Sequence, residues 1–402
     1  MQYKFSWLNN HSVTHLNSLL CYENHIFKYV GGCVRDSIMN KEFNEFDIAS
    51  NFPVEKNIFY LQNKGVKVIE TSVAHGTITV ILEGKIFEIT TLRKDVSTNG
   101  RQATQVEFID DFYEDAKRRD FTFNALYLCP TTGEITDFFG GIEDLKNGHV
   151  KFIGNPQERI KEDNLRILRF FRFYAQYGTN VPDSNLLNIL KENAPLLKML
   201  TKERINGEIY KILNGSNLSV LTIMAKYDIL QQFLTPDLNA IDNIDNLRTN
   251  NSQVNKNLII AYINEDYTNL TNFILKKNDI KEITAIIQIK YFIEKYSPME
   301  FNEICHLIVK YGVCNIINAL ECLQSKHVNY RSLYCDFINK IQEKSSKQPN
   351  ITGHDALALN IENKHISQCL EKLSLYFWLN PIRSKDVYLK ELSRIYTLQT
   401  YI

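Results

Sequence analysis

The apolar residues of this chain change their spacing near residue 150, and this change constrains the fold more than any other feature. Before that point, short β-type runs such as HIFKYV, FDIAS and FTFNALYL alternate with turns and a few helical segments. After it, apolar residues recur at helical spacing over long stretches with almost no alternation. The sequence therefore predicts an α+β chain, in which a mixed sheet with helices is followed by an all-α remainder.

Length and composition exclude several classes of protein. The 402 residues are enough for two or three domains. Lys plus Arg and Asp plus Glu both number 46, so a nucleic-acid site would have to be a local concentration of cations. The 8 cysteines lack zinc-ligand spacing, which is typical of free thiols in a reducing cytosol. With no signal-peptide pattern and no long apolar run, we expect a cytoplasmic protein without a membrane partner.

Two segments of the helical remainder carry clear local signals. Residues 201–215, TKERINGEIYKILNG, predict a helix with Thr201 as its cap, an apolar face and an Asn-Gly stop. Residues 236–256 are polar and rich in asparagine, which predicts a connecting loop. Repeats are not evident.

A strand, a glycine pair and a short helix are predicted in succession from FKYVGGCVRDSIM. Gly31 and Gly32 let the backbone approach a ligand closely. Arg35 and Asp36 lie in the first turn of the helix, and Arg35 with the helix N-terminus offers donors and positive potential to phosphates. The glycine pair alone is weak evidence, because many turns use it.

The strand EFDIAS adds two carboxylates. Glu45 and Asp47 are two residues apart and point to one face, while Phe46 and Ile48 point to the core. Two acids on one face beside a phosphate-binding turn can hold two Mg²⁺ ions for displacement at phosphorus. Glu88, in IFEITTL, is a candidate third acid. The alternative interpretation is an edge strand with a solvated acidic face.

An arginine stripe is predicted on one helix face. Arg166, Arg169 and Arg172 recur every three residues in EDNLRILRFFRFYAQYG, with apolar residues alongside. Serial guanidinium groups suit a triphosphate or a base edge. The alternative is a solvated basic face paired with Glu158 and Glu162.

Asp163 and Arg166 together suggest a way to select bases. Cytosine and adenine both present an exocyclic amine beside a ring-nitrogen acceptor, whereas uracil and guanine present carbonyls and ring N–H groups. A carboxylate accepts from the amine and an arginine donates to the ring nitrogen, so the pair would admit C and A and reject U and G. Alternatively, Asp163 simply caps a helix.

As an ordered set, these motifs resemble the class II tRNA nucleotidyltransferases, the CCA-adding enzymes, and the related bacterial poly(A) polymerases. The motifs are GGCVRD with EFDIAS, HGTITV, FEITTLR, RRDFTFNALYL, DFFGGIEDL, EDNLRILRFFRF and ERINGEIYKIL. The resemblance covers about residues 27–214, with a weaker echo in ITGHDALAL at 351–359. It implies a polymerase-beta-type nucleotidyltransferase head at 1–145, a helical neck for nucleotide selection at 146–235, and an elongated helical body and tail that bind tRNA at 236–402.

The resemblance also implies roles for individual residues. Glu45 and Asp47 would be the catalytic, metal-binding acids, with Arg119, Asp120 and Asn124 at the ribose. Residues 93–105, RKDVSTNGRQATQ, match a mobile loop that accompanies the change from C to A addition. The expected nucleotide-binding residues are Gly31, Gly32, Arg35, Asp36, Arg119, Asp120, Asn124, Asp163, Arg166, Arg169 and Arg172.

The expected activity is CCA addition to tRNA, with CTP and ATP as substrates, two Mg²⁺ ions as cofactors and pyrophosphate as the product. The alternatives are an A-adding enzyme or a poly(A) polymerase of the same family, and more remotely an inactive RNA-binding relative. The chain ends in LKELSRIYTLQTYI without the basic tail expected of a poly(A) polymerase, and its full-length loop before RRD disfavours a CC-adding enzyme. Two positions depart from the family pattern: Glu45 replaces an aspartate, and Asn360 replaces a frequent glycine.

Overall fold

The computed structural model describes residues 3–98, 100, 103–215, 217–250, 254–273, 275–297, 299–327 and 331–400. The chain divides into two compact units. The first comprises Met1–Val220 with Tyr227–Gln232, and the second comprises Leu221–Lys226 with Phe233–Ile402. The predicted boundaries at 145 and 235 within the head, neck and body scheme stay predictions.

The first unit contains the strands. They are β1 (Phe27–Val30), β2 (Glu45–Ser50), β3 (Val68–Ser72), β4 (Thr77–Leu82), β5 (Lys85–Thr91), β6 (Arg93–Thr98), β7 (Ala103–Phe108), β8 (Leu126–Leu128) and β9 (Ile135–Asp137). Its helices are α1 (His11–Leu20), α2 (Gly32–Ile38), α3 (Val54–Asn63), α4 (Phe112–Lys117), α5 (Gly141–Lys146), α6 (Pro156–Glu162), α7 (Arg166–Tyr177), α8 (Ser184–Asn193) and α9 (Lys202–Leu213). Short 3₁₀ turns, such as Thr122–Asn124, connect several of them.

Seven strands form one mixed sheet in the order β3-β4-β5-β2-β1-β8-β9. β2 pairs in parallel with β5 and antiparallel with β1. Phe46 and Ile48 of β2 and Phe87 of β5 are buried in one core cluster with Val13 and Leu16 of α1. The opposite face of β2 is therefore left for Glu45 and Asp47, as the alternating pattern predicts.

The segment 93–105 differs from the predicted loop. Apart from Gly100, its described residues belong to an antiparallel ribbon of β6 and β7, whose register pairs Arg93 with Phe108 and Asp95 with Val106. Residues 99, 101 and 102 lie outside the described residues. The prediction was wrong about secondary structure because a polar, Gly-containing segment also suits a two-stranded ribbon exposed to solvent.

Helix α9 confirms the prediction for TKERINGEIYKILNG. It begins after Thr201 and ends before Asn214, and Ile205, Ile209 and Ile212 are buried. Thr201 occupies the cap position, but its side chain makes no capping hydrogen bond. The apolar face rather than the cap therefore determines this helix.

The rest of the chain is helical. Its helices are α10 (Val220–Lys226), α11 (Leu238–Asp242), α12 (Ile244–Asn250), α13 (Lys256–Ile263), α14 (Lys277–Tyr296), α15 (Phe301–Tyr311), α16 (Val313–Lys326), α17 (Arg331–Ser345), α18 (Gly353–Ala358), α19 (Asn363–Leu379) and α20 (Lys385–Thr400). Within the second unit, buried Lys290 of α14 donates to the carbonyls of Ala261 and Tyr262 in α13. The α+β class, with a mixed sheet followed by a mostly helical region, is confirmed. No helix among the described residues is long and apolar enough to cross a membrane.

The loop predicted at 236–256 is wrong for most of its length. α11 and α12 occupy it, and Ala240, Ile241, Ile244 and Leu247 are buried. These four residues have helical spacing, which the surrounding asparagines obscured. Residues 251–253 lie outside the described residues.

Asn360 occupies a left-handed backbone position, with φ +59°. Asparagine tolerates this region better than most residues, and glycine adopts it at no steric cost. The replacement of the family's frequent glycine is thus compatible with the turn that ends α18.

Candidate active site

One open cleft of about 480 Å³ in the first unit collects almost all of the predicted site residues. Eight cationic side chains and four carboxylates line it, although the whole chain is electrically balanced. Such a local concentration of cations suits a polyanion. The lining residues are Gly31, Gly32, Arg35, Glu45, Asp47, Arg118, Arg119, Asp120, Asn124, Asp163, Leu165, Arg166, Arg169, Arg172, Phe173, Arg204 and Lys211.

Glu45 and Asp47 line the cleft, and the parallel register of β2 and β5 places Glu88 next to Asp47 in the sheet. Asp47 pairs with Glu88, and Glu45 pairs with Ile86. Burial raises the pKa of Asp47, as does the charge of Glu45, whereas Arg119 lowers it. Burial also raises the pKa of Glu88, with contributions from Asp47 and Glu45. These carboxylates therefore repel one another, a repulsion that a divalent cation would relieve.

The donor set suits Mg²⁺, which prefers carboxylate oxygens and usually retains waters and substrate phosphates as further ligands. In the described part of the chain, the ligand atoms of Glu45, Asp47 and Glu88 do not all lie within 4.8 Å of one another. They form an open edge rather than a closed cage. An open edge is compatible with a metal that is completed by substrate.

The glycine pair brings backbone up against Asp47. Gly31 has φ +72°, and a Cβ atom added there would lie 3.3 Å from Asp47 Oδ2. The Gly32 N–H donates to the Asp47 carboxylate. The turn therefore holds an acid of the neighbouring strand in place, which any larger residue at Gly31 would disturb.

Arg35 is held from several sides. It pairs with Asp36 (Nη2 to Oδ2, 3.0 Å) and donates to Asn124 Oδ1 (2.6 Å). Its guanidinium lies 5.0 Å from the ring centroids of both Phe173 and Tyr177. Asp36 does not line the cleft; it accepts a hydrogen bond from Tyr177 and fixes Arg35. The nucleotide-binding role of Asp36 stays a prediction.

Buried Asp120 joins the RRDFTFN segment to the arginine stripe. Its Oδ2 accepts from Arg169 Nε at 2.6 Å, and its Oδ1 accepts from Asn124 Nδ2 and from the Phe121 N–H, both at 2.9 Å. Burial alone would raise the pKa of Asp120, but Arg169 and Asn124 hold it well below its usual range. Asp120 is consequently ionised at neutral pH and fixes both partners.

Asp115 anchors Arg119 by an ion pair. Arg119 lies 3.3 Å from Asp115 Oδ2 and donates to the Tyr127 hydroxyl at 3.1 Å. The same carboxylate contacts Arg118 at 2.8 Å. Burial alone would raise the pKa of Asp115, but Arg118 and Arg119, with a hydrogen bond from Tyr127, lower it to about 2. One buried acid thus orients two arginines of the cleft.

Asp163 and Arg166 both line the cleft but contact different partners. Asp163 accepts from the Leu165 N–H at 3.1 Å and from Arg204 at 2.8 Å. Arg166 donates to Glu162 and to the carbonyls of Arg159 and Arg118. Three of its five N–H donors are engaged within the described residues, which leaves two for a ligand.

Asp163 makes a helix-capping contact, but it is not itself the N-cap residue of α7. Asp163 ends α6 and its side chain accepts from the N–H of Leu165, which precedes α7. The solvated alternative for the arginine stripe is wrong for Arg166 and Arg172, because both are buried. The pairing of Arg166 with Glu162 within that alternative is present.

Arg172 pairs with Glu208 of α9 at 3.0 Å. Burial, followed by the charge of Arg169, lowers the pKa of Arg172 to about 10, so it remains protonated at neutral pH. Helix α9 also contributes Arg204 and Lys211 to the cleft. A second helix therefore reaches the cleft beside the arginine stripe of α7.

The sequence analysis missed five lining residues. Arg118 stands in the quoted RRD, and Arg204 and Lys211 stand seven residues apart in the quoted ERINGEIYKIL, a spacing that places them on one helix face. Leu165 and Phe173 flank the arginine stripe and carried no separate signal. Glu88 is paired with Asp47 but does not line the cleft.

A mixed sheet that carries two acids on its central strand, in a cleft shared with seven arginines, defines a nucleotidyltransferase. A family model described as the poly A polymerase head domain matches residues 27–151, and one described as a probable RNA and SrmB-binding site of polymerase A matches residues 182–242. The human mitochondrial CCA tRNA nucleotidyltransferase 1 is 30% identical over 401 residues, covering 92% of this chain and 87% of that protein. The chain belongs to this family of tRNA nucleotidyltransferases and poly(A) polymerases.

Other relatives agree. The CCA-adding enzyme of Enterococcus faecalis is 41% identical over 192 residues, which cover 47% of this chain and 45% of that enzyme. The Bacillus stearothermophilus CCA-adding enzyme in complex with CTP is similar in structure, with a TM-score of 0.65, 20% identity and coverage of 97% and 98% of the two chains. The Thermotoga maritima CCA-adding enzyme complexed with tRNA-CCA has a TM-score of 0.68 at 20% identity, with both chains fully covered. At these identities the structures support the shared fold.

We predict that Asp115→Asn lowers stability at neutral pH and that its effect fades in acid. Because the folded pKa of about 2 lies below the ordinary 3.8, the ionised group stabilises the fold above pH 4 and loses this contribution as pH falls toward 2. The difference in unfolding free energy should be on the order of 2 kcal/mol at pH 7 and roughly half that at pH 3. Urea unfolding of both proteins at each pH measures it.

The control is Asp228→Asn, because Asp228 forms an ion pair with Lys191 in which both side chains are about half exposed. This variant should change stability little. An Asp115→Asn difference that is independent of pH would contradict the assigned role of the ionised carboxylate.

Proposed function

We propose that this chain adds C and A to the 3′ end of tRNA without a nucleic-acid template, using CTP and ATP and releasing pyrophosphate. The observation that carries the proposal is the cleft, where the acids of the central strand β2 share one lining with seven arginines and with Asp163 beside Arg166. The similarity to CCA tRNA nucleotidyltransferases and CCA-adding enzymes supports it. Structures of such enzymes with CTP and with ATP support these nucleotides as substrates.

In the proposed reaction the tRNA 3′-hydroxyl attacks the α-phosphorus of the nucleotide, and the bond to pyrophosphate breaks. Glu45 and Asp47 would hold Mg²⁺, with Glu88 as a third acid. When bound, two such ions activate the attacking hydroxyl and stabilise the leaving group. Arg35 and Arg172 hold positive charge near the triphosphate, and their buried positions strengthen its effect.

Ribose and base would be read by separate parts of the cleft. Arg119, Asp120 and Asn124 line it near the sheet and are candidates to contact the ribose hydroxyls. Asp163 would accept from the exocyclic amine of C or A, while the remaining donors of Arg166 reach the ring nitrogen. Gly31 and Gly32 allow the triphosphate to approach the backbone.

The helical region at 236–402 is proposed to bind tRNA, in accord with the head, neck and body scheme. The family model for an RNA-binding site covers 182–242 and supports RNA binding near the start of that region. We also propose a cytoplasmic location, which cell fractionation tests. The name of the human relative places that protein in mitochondria.

The activity is tested with purified protein, Mg²⁺ and tRNA transcripts that end before CCA, after the first C or after CC. We expect CTP alone to extend the first two, ATP alone to extend the third by one A, and both together to complete CCA. Asp47→Asn should abolish incorporation because it removes a charged metal ligand. Asp228→Asn, at a position with φ +58° that asparagine also tolerates, is the matched control.

Each alternative has its own outcome in the same assay. Incorporation of neither nucleotide would leave an inactive RNA-binding relative and would contradict the proposal. Extension of the CC-ending transcript alone would identify an A-adding enzyme. Repeated incorporation of ATP would identify a poly(A) polymerase.

Glu45 is expected to function as a metal ligand despite the extra methylene compared with aspartate. Its side chain is exposed at the start of β2, so its carboxylate has room to fold back toward Asp47. We predict that Glu45→Asp retains activity and that Glu45→Gln lowers it and raises the Mg²⁺ concentration needed for half-maximal rate. Mg²⁺ titration of CTP incorporation measures both, with exposed Glu55→Gln as the control. Equal Mg²⁺ requirements for Glu45→Gln and the wild type would remove Glu45 from the metal site.

Asp163 and Arg166 are predicted to determine base selectivity. Asp163→Ala and Arg166→Ala should relax the preference for CTP over UTP and for ATP over GTP by about tenfold or more, because one hydrogen-bonded base contact discriminates by about 1–3 kcal/mol. The ratios of kcat/KM for the four nucleotides measure this. Arg394→Ala, at an exposed arginine of α20, is the control. Reduced rates with unchanged ratios would show that the two residues support the fold but do not read the base.

A further inference from the structure

Two histidines of α1 and one glutamate form a cluster away from the cleft. His11 and His15 are four residues apart and lie on the face of α1 opposite to buried Val13 and Leu16. His11 Nδ1 lies 3.2 Å from Glu83 Oε2, and His15 Nδ1 lies 3.1 Å from Glu83 Oε1. Among the described residues, this is the one group of three His, Cys, Asp or Glu whose ligand atoms all lie within 4.8 Å of one another.

These distances match the edges of a tetrahedral metal site. When ligand atoms lie about 2.0–2.1 Å from Zn²⁺, two of them are separated by roughly 3.3 Å. Each histidine nitrogen is close to this distance from one oxygen of Glu83, but His11 contacts Oε2 and His15 contacts Oε1. The Glu83 carboxylate must therefore rotate to present one oxygen to both histidines. The two histidine nitrogens, at no more than 4.8 Å, need only a small side-chain rotation to reach the same distance. Since the histidine side chains are 82% and 41% exposed, little opposes that rotation.

The position of Glu83 is fixed by a tight turn. Leu82 pairs with Lys85, so Glu83 and Gly84 form a two-residue connection between β4 and β5. Both have positive φ, +49° and +76°, as in a type I′ turn. That turn favours Asn, Asp or Gly at its first position, and glutamate is an unfavourable choice there. Here its longer side chain reaches both histidines of α1.

We propose that His11, His15 and Glu83 form a binding site for a divalent transition metal ion of the Zn²⁺ type. Two imidazole nitrogens and one carboxylate oxygen would supply three ligands, and a fourth position would be open to water. The imidazole ligands favour Zn²⁺ over the Mg²⁺ expected at the carboxylates of the cleft. None of the three residues lines that cleft. The bound ion would join α1 to the β4–β5 turn and stabilise the first unit.

The test uses the full chain without an affinity tag and in saturating Mg²⁺, with Zn²⁺ itself as the probe. Chelator competition should find one Zn²⁺ site in the wild type. His11→Ala and His15→Ala should each weaken Zn²⁺ binding by at least roughly 10–100-fold. Removal of a residue that only hydrogen-bonds to a metal ligand already causes a loss of this size, and these variants remove a ligand itself. Zn²⁺ should also raise the Tm of the wild type but not of His15→Ala, because binding to the folded state alone stabilises it.

Three controls separate this site from other Zn²⁺ ligands. His149→Ala removes an exposed histidine elsewhere and should leave binding unchanged. Asp47→Asn should also leave Zn²⁺ binding unchanged, because the proposed site lies outside the cleft. Replacement by Co²⁺ should give an absorption spectrum without the charge-transfer band of a thiolate ligand, since the cluster contains no cysteine.

Two results would overturn the proposal. One is that the His11→Ala/His15→Ala double variant binds Zn²⁺ with the same affinity as the wild type. This result would mean that the three residues only hydrogen-bond to one another. The other is a thiolate band that identifies a cysteine as ligand. Far-UV circular dichroism checks that each variant is folded, and CTP incorporation checks it further for the histidine variants, so that a loss of binding is attributable to the ligands.

Discussion

The buried carboxylate of Asp120 is the interaction on which the rest of the site depends. It holds Arg169 of α7 on one oxygen and Asn124 on the other, and Asn124 in turn accepts from Arg35 of α2. One ionised group therefore connects the sheet region to the helix that carries the arginine stripe. Without Asp120, Arg169 would lose its anionic partner, and the Asn124 side chain that accepts from Arg35 would lose its support. A buried guanidinium group without its partner lowers the stability of the fold.

The same principle explains how an electrically balanced chain maintains a cationic cleft. Asp115 orients Arg119, Asp120 orients Arg169, and Glu208 orients Arg172. Each acid is buried and pairs with an arginine that still borders the cleft. A polyanion then meets positioned charges with little side-chain entropy left to lose.

The sequence analysis predicted the features of the site that depend on the spacing of residues within one strand or helix. The alternation of EFDIAS gave the orientation of Glu45 and Asp47, and the spacing of three gave the arginine stripe. The partner of Asp47 across the sheet was only a candidate, because the register between β2 and β5 depends on packing between segments about 40 residues apart. Composition misled at 236–256, where four apolar residues mattered more to the fold than the many asparagines.

Two of the five lining residues that the sequence analysis missed belong to α9, and this helix has a consequence for base selection. Arg204 holds Asp163, while Glu208 holds Arg172. The two residues are four apart on one helix, so both contacts depend on how α9 packs against α7. The orientation of the proposed base-reading carboxylate is therefore a property of helix packing, not of the EDNLR segment alone. Arg204 also donates to one oxygen of Asp163 and so fixes the orientation of the carboxylate that would accept a hydrogen bond from an exocyclic amine but not from a carbonyl.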